Sequence, residues 1–189
     1  MRITTVFAMA TMAAAAFAPP ALADDHSGAN AVSPEAGAQT LAEAVAEAQA
    51  LAEAEAAELA YHSAQQIYLS SLMASDGWYT MEGGLRWRYT DYAGSDEKPT
   101  ASDTVTVHYA GTFIDGETFD SSFDRGTPAT FGLSGLITAW EMAIPQMGVG
   151  DTIEIAAPSN LAYGPRGRGP IPGGATLLFK VQLISIRGR

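Results

Sequence analysis

The chain has no cysteine among its 189 residues, and this excludes disulfides, a thiol nucleophile, thiolate zinc sites and a cysteine-linked lipid anchor together. Basic residues are scarce. Ten Lys and Arg stand against 21 Asp and Glu, a formal net charge of -11, so nothing supplies an electrostatic grip on nucleic acid or anionic lipid. The three histidines, His26, His62 and His108, are far apart, and no H-E-x-x-H, no G-x-S-x-G and no metal-ligand spacing occurs. Acid/base and nucleophilic hydrolysis therefore lack their usual machinery. The glycine-rich stretch 164–174 has no Lys-Ser/Thr and cannot serve as a phosphate loop. The longest apolar run, residues 3–17, is short for the ~20 residues of a membrane span, which argues against its reading as an uncleaved anchor.

What the sequence does have is a strong segmental order. Arg2, an apolar stretch over residues 3–17, Pro19-Pro20 and then Ala21-Leu22-Ala23 predict a signal peptide over residues 1–23, cut after Ala23. The protein is then expected to be exported and periplasmic, with no membrane contact after cleavage. Residues 24–37 are Gly, Ser, Asn, Pro and Asp with few apolar groups, the composition of a disordered linker. Residues 38–75 read as an acidic Ala/Glu-rich helical arm, because Ala, Glu and Leu dominate residues 40–60 without Gly or Pro.

On that helix Leu41, Val45, Ala48, Ala52, Ala56 and Leu59 fall on one narrow face. The stripe is mostly alanine and buries little area, so two readings stand: a solvated spacer, or an arm pairing with a second copy to form a homodimer. Ile67, Tyr68, Leu72 and Met73 continue the pattern towards whatever follows.

Beyond Asp76 the period changes from helical to alternating. Residues 85–92 and 103–113 alternate apolar and polar, with Val105, Val107 and Tyr109 on one face and Thr104, Thr106 and His108 on the other. Asp115-Gly116 predicts a hairpin returning through residues 117–121. Residues 152–156 and 175–186 supply further strands, and residues 136–146 the only short helix. Sequential strands with tight turns and one short helix point to an α+β fold, an antiparallel sheet wrapped over that helix with room for a pocket between them.

Large apolar residues collect at strand ends and in loops: Tyr109, Phe119, Phe131, Leu136, Ile137, Trp140, Tyr163, Ile171 and Phe179. Taken alone, such a set fits a plain core. Asp120 and Arg125 are interleaved with it, however, and Tyr163 precedes the glycine-rich loop, which suits a lined pocket better.

The ordered runs Val105-Thr106-Val107-His108-Tyr109-Ala110-Gly111, Asp115-Gly116, Phe119-Asp120-Ser121-Ser122, Leu136-Ile137-Thr138-Ala139-Trp140, Leu161-Ala162-Tyr163-Gly164 and Ala175-Thr176-Leu177-Leu178-Phe179 resemble the FKBP-type prolyl isomerase domain, over residues 76–189. With the arm, the layout is similar to the family's periplasmic branch. The resemblance implies a five-stranded antiparallel half-barrel around a short helix, preceded by a long N-terminal helix.

It implies a proline pocket with Trp140 as floor and Tyr109, Phe119, Phe131, Leu136 and Phe179 as walls. The Ile137 N–H and the Tyr163 hydroxyl would bond substrate carbonyls, Asp120 would sit near the reacting amide held by Arg125, and Ile171 would overhang the site. Tyr109, Asp120, Phe131, Trp140 and Tyr163 would carry catalysis, without cofactor or metal. The expected activity is cis/trans isomerisation of X-Pro bonds in unfolded or partly folded polypeptides. A chaperone that holds such chains, without catalysis or beside it, is the alternative. Ala129, Ala139 and Arg168 depart from residues common in relatives, the last two beside the tryptophan and in the overhanging loop.

Overall fold

The computed structural model describes residues 34–187; the expected signal peptide, residues 1–23, and most of the expected linker lie outside the described residues. Helix α1 spans Pro34–Ser71. It starts on a proline, which the first helical turn tolerates because its N–H would be unbonded there anyway. The helix takes in residues 34–37, assigned above to the linker, and ends short of residue 75. The chain divides into two units, Met1–Val45 and Ala46–Arg189. In the first, the described part is the opening of α1.

In the second unit, residues 46–60 of α1 are exposed throughout, whereas Gln65 and Leu69 are buried and Tyr61 and Tyr68 half-buried. Spacings of four, three and one put these four on a single face. The Gln65 Oε1 accepts the Thr176 N–H at 2.9 Å. Leu69 packs with Trp78 and Ala156, with Leu72 and Leu178 against them. The end of the helix is thus fastened to the sheet by apolar contact and by one buried hydrogen bond.

The sheet contains β1 (Tyr79–Thr80), β2 (Arg86–Asp91), β3 (Thr104–Thr112), β4 (Thr118–Ser121), β5 (Ala129–Gly132), β6 (Thr152–Ala157) and β7 (Leu177–Ile186). All pairings are antiparallel, in the order β1-β2-β6-β7-β3-β4, with β5 also on β3. The expected five strands become seven segments, but they occupy five lanes plus the two-residue β1. β5 pairs with the first half of β3, Val105 facing Phe131, and β4 with the second half, Gly111 facing Asp120. Between them the chain leaves the sheet from Ser122 to Pro128, which creates a rim next to the buried face.

Neither β1 nor β5 was expected from the sequence. Each is too short to show alternation, and β5 is bounded by Pro128 and Gly132 with one large apolar residue, Phe131. Helix α2, Thr138–Ala143, lies across the inner face, and a 3-10 turn carrying Pro145 ends it. Its buried Ala139, Trp140 and Ala143 join Val105, Val107, Ile153, Ile155, Val181 and Leu183 in one core. Each fully buried aliphatic side chain there contributes roughly 1.5–3 kcal/mol, which anchors α2 and fixes where Trp140 can sit.

Candidate active site

Trp140 is only 4% exposed and lies in the first turn of α2. Three rings stand nearly perpendicular to its indole: Tyr109 at 5.3 Å and 81°, Phe131 at 6.1 Å and 79°, and Phe179 at 5.4 Å and 86° between centroids and planes. Edge-to-face contacts are the geometry aromatic quadrupoles favour, so floor and walls hold each other in place. Phe119 stands at 90° to Phe179, 5.8 Å away. Its seat requires Gly111: a Cβ on that residue would come within 2.6 Å of the Phe119 ring.

These rings enclose a cavity of about 190 Å³ lined by Tyr109, Phe119, Asp120, Phe131, Leu136, Ile137, Trp140, Tyr163 and Phe179. That is well below the ~300–1,000 Å³ of sites for drug-sized ligands and suits one small apolar ring. Ile137 is the residue before the first turn of α2, and among the described residues its N–H has no backbone partner. Tyr163 precedes a short 3-10 turn opened by Gly164.

The remaining two residues lie apart. Ile171 lines an adjoining cleft of about 320 Å³ that shares Phe119, Asp120 and Tyr163 with the aromatic cavity. It is 8% exposed, so it forms a packed base more than an overhang. The segment around it is a small hairpin in which Arg168 and Ile171 exchange backbone bonds at 2.9 and 3.0 Å. Arg125 lines neither space.

Arg125 acts through Asp120. Its Nη1 donates to Asp120 Oδ1, its Nη2 donates to the Tyr109 hydroxyl at 3.0 Å, and that hydroxyl donates to Asp120 Oδ2. The carboxylate therefore accepts from both neighbours at once. Partial burial pushes Asp120 upward, but the hydrogen bonds from Tyr109 and Arg125, with the guanidinium charge, outweigh it and hold the carboxyl below its usual value. Burial raises the Tyr109 phenol, and its bond to Asp120 raises it further. At neutral pH the rim carries a fixed anion and a fixed phenol.

Ser122 was not singled out in the sequence and is fully buried. Its Oγ accepts the Tyr109 N–H at 2.7 Å and donates to the Tyr109 carbonyl at 3.2 Å, while its own N–H reaches the same carbonyl at 2.8 Å. It fixes the backbone that carries Tyr109. In a stretch as polar as residues 115–128, one serine among several hydroxyls and carboxylates gives no signal of its own. His108 points to the other face, 2.9 Å from Ser122 Oγ and stacked on Phe123 at 4.7 Å. The buried Asp151 accepts backbone N–H groups from Ala93 and Gly148, each at 2.7 Å, and is structural.

Comparison with known proteins gives this geometry a context. Residues 95–184 match the family model described as FKBP-type peptidyl-prolyl cis-trans isomerase. The outer membrane protein MIP of Legionella longbeachae is 46% identical over 121 residues, 64% of this chain and 52% of that protein. FK506-binding protein 1 of Kluyveromyces lactis is 42% identical over 110 residues, 57% of this chain and 96% of that protein. The crystal structure of FkpA from Escherichia coli superposes with a TM-score of 0.66 and 34% identity, covering 82% of this chain and 74% of that one. The matched segment spans about half the length of curated relatives such as MIP and the FkpA of Aeromonas hydrophila. With a relative 42% identical and matched over 96% of its length, the chain belongs to the FKBP-type peptidyl-prolyl cis-trans isomerase family.

Proposed function

We propose that this protein catalyses cis/trans isomerisation of X-Pro bonds in exported, unfolded or partly folded polypeptides. The observation that carries the reading is the aromatic box around Trp140 with the Asp120 carboxylate at its rim. Rotation about X-Pro faces a barrier of about 18–20 kcal/mol, because the amide nitrogen shares its lone pair with the carbonyl. No bond is broken, so the catalyst needs neither nucleophile nor proton relay. It needs to favour the twisted amide over both planar forms.

Twisting removes much of the amide dipole, so a water-poor aromatic wall favours the twisted state relative to water. Tyr109, Phe131 and Trp140 supply that wall around the proline ring, with Phe119, Leu136 and Phe179 closing it. The carbonyl carbon loses donation from nitrogen as it twists, and the Asp120 carboxylate, kept charged and aimed by Tyr109 and Arg125, favours that change. The Ile137 N–H and the Tyr163 hydroxyl, neither bonded among the described residues, hold the chain beside the ring so that only one side rotates. Ile171 supports the adjoining cleft. A thousandfold acceleration needs only about 4 kcal/mol of differential stabilisation.

On this reading residues 76–189 form the catalytic domain and residues 38–75 an arm, with a signal peptide over residues 1–23 directing the protein to the periplasm. The MIP relative is named as an outer membrane protein, which supports export. Among the described residues no helix is long and apolar enough to cross a membrane. Leu51, Leu59 and Ile67 are 60–70% exposed on α1, which supports pairing of two arms in a homodimer or holding of client chains. A protease-coupled assay with a proline tetrapeptide tests the proposal. Catalysis by the wild type and its loss in Phe131→Ala and Asp120→Ala are expected; equal rates in all three would remove the site assignment.

A further inference from the structure

The aromatic cavity is not an isolated hole. The cleft above Ile171 shares Phe119, Asp120 and Tyr163 with it, and that cleft in turn shares Phe119 and Pro170 with a third space of about 440 Å³. The far wall of this third space is α1 itself, through Tyr61 and Gln65, and its rim carries Asp115 and Glu117 from the β3–β4 hairpin. Three spaces that adjoin through shared lining residues thus lie in a row from the floor of Trp140 to the fastened part of the arm.

Three features of the third space match an extended polypeptide. Gln65 is 4% exposed and spends its Oε1 on the Thr176 N–H. Gln65 lines the space, and its amide NH2 has no protein acceptor among the described residues, so it is open to a client carbonyl. Tyr61 and Phe119 both line the space and offer it flat apolar rings. Asp115 and Glu117 are exposed acids, and no residue lining this space is basic, whereas Arg168 belongs to the connecting cleft. Burial and the nearby Asp115 charge both raise the Tyr61 phenol, which places the acid and the ring within electrostatic reach.

We infer that this space is a second client subsite, which receives a basic stretch of the same polypeptide whose proline occupies the aromatic pocket. The inference rests on the reading of that pocket as the proline site. It makes the arm part of substrate recognition: the helix supplies one wall of this space, and clients with Lys or Arg at the right separation from proline are selected. Two exposed acids against one or two client cations give a modest preference, about three- to tenfold at low salt, which screening erodes as salt rises.

The test uses the whole chain and fluorescein-labelled peptides with one central Ala-Pro and a Lys-Lys pair moved outward from it in either direction, beside Glu-Glu controls. Binding is read by anisotropy, and turnover of an unlabelled proline tetrapeptide is measured in parallel. A preference for Lys-Lys at one spacing is expected, fading in high salt. It should vanish in the double variant Asp115→Asn/Glu117→Gln and weaken in Tyr61→Ala, with tetrapeptide kcat/KM unchanged in both. Asn keeps the oxygen that accepts the Glu117 N–H at 3.0 Å, so the hairpin should stay folded. Binding that ignores Lys-Lys at every spacing, or a preference surviving in the double variant, overturns the subsite. Failure of tetrapeptide turnover would instead count against the proline pocket and leaves the anisotropy result to decide the subsite.

Discussion

Helix α1 contains two regions that obey opposite rules. Residues 46–60 bury nothing, and their helicity comes from Ala, Glu and Leu propensity alone, while residues 61–69 turn Tyr61, Gln65, Tyr68 and Leu69 to one face and are held by the sheet. The same helix is thus a solvated rod at one end and part of the catalytic domain's packing at the other. Alanine at the contact positions leaves a helix free. Exchanging it for tyrosine, glutamine and leucine docks it. A functional boundary is therefore set by side-chain size along one unbroken backbone.

The comparison can be broken first where packing is densest. Trp140→Ala should destabilise the chain by about 3–5 kcal/mol, because the floor supports three rings at once; denaturant unfolding measures it, and a loss below ~1 kcal/mol would mean that the box is not a packed unit. Next comes the fastened half of the helix, where Leu69→Ala should cost ~2 kcal/mol by opening the Leu69-Trp78-Ala156 cluster. Gln65→Ala should cost roughly 1–3 kcal/mol, since it leaves the Thr176 N–H buried without an acceptor.

Asp120→Asn comes next, with an effect under ~1 kcal/mol because the ion pair is substantially exposed. The folded carboxyl sits below its usual value, so its stabilisation is present above the unfolded value of ~3.9 and disappears as pH falls through the folded value. The wild type and Asp120→Asn should therefore differ by a constant amount from pH 5 to 8 and converge below about pH 4. The smallest effect belongs to the solvated half: Leu59→Ala, at a side chain 70% exposed, should change stability by less than ~0.5 kcal/mol. A larger, concentration-dependent effect, with a change of mass in light scattering, would show that the arm pairs.

Much of this was legible in the residues. The alternation in Val105, Val107 and Tyr109 gave the inner face of β3, Asp115-Gly116 gave its turn, and the family resemblance implied Trp140 as the floor. Pairing of Asp120 with Arg125 was also expected, but the third partner, Tyr109, comes from across the β3–β4 ladder, where Gly111 faces Asp120, and cross-strand register with a bulge cannot be counted along one segment. β5 escaped because four residues with a single large side chain carry no period. The roles of Gln65 and Tyr61 escaped for a different reason. A polar residue and a ring in an alanine-rich helix give no sign of what they will meet until the sheet is placed beside them.

The central claim is that the aromatic box loosens the bond before proline, and exchange NMR on an Ala-Pro peptide tests it with no protease present. With a small amount of the whole chain, cis and trans resonances should exchange far faster than the uncatalysed tens to hundreds of seconds, and Phe131→Ala should return them close to that rate. Exchange that stays at the uncatalysed rate with folded wild-type protein would contradict the account.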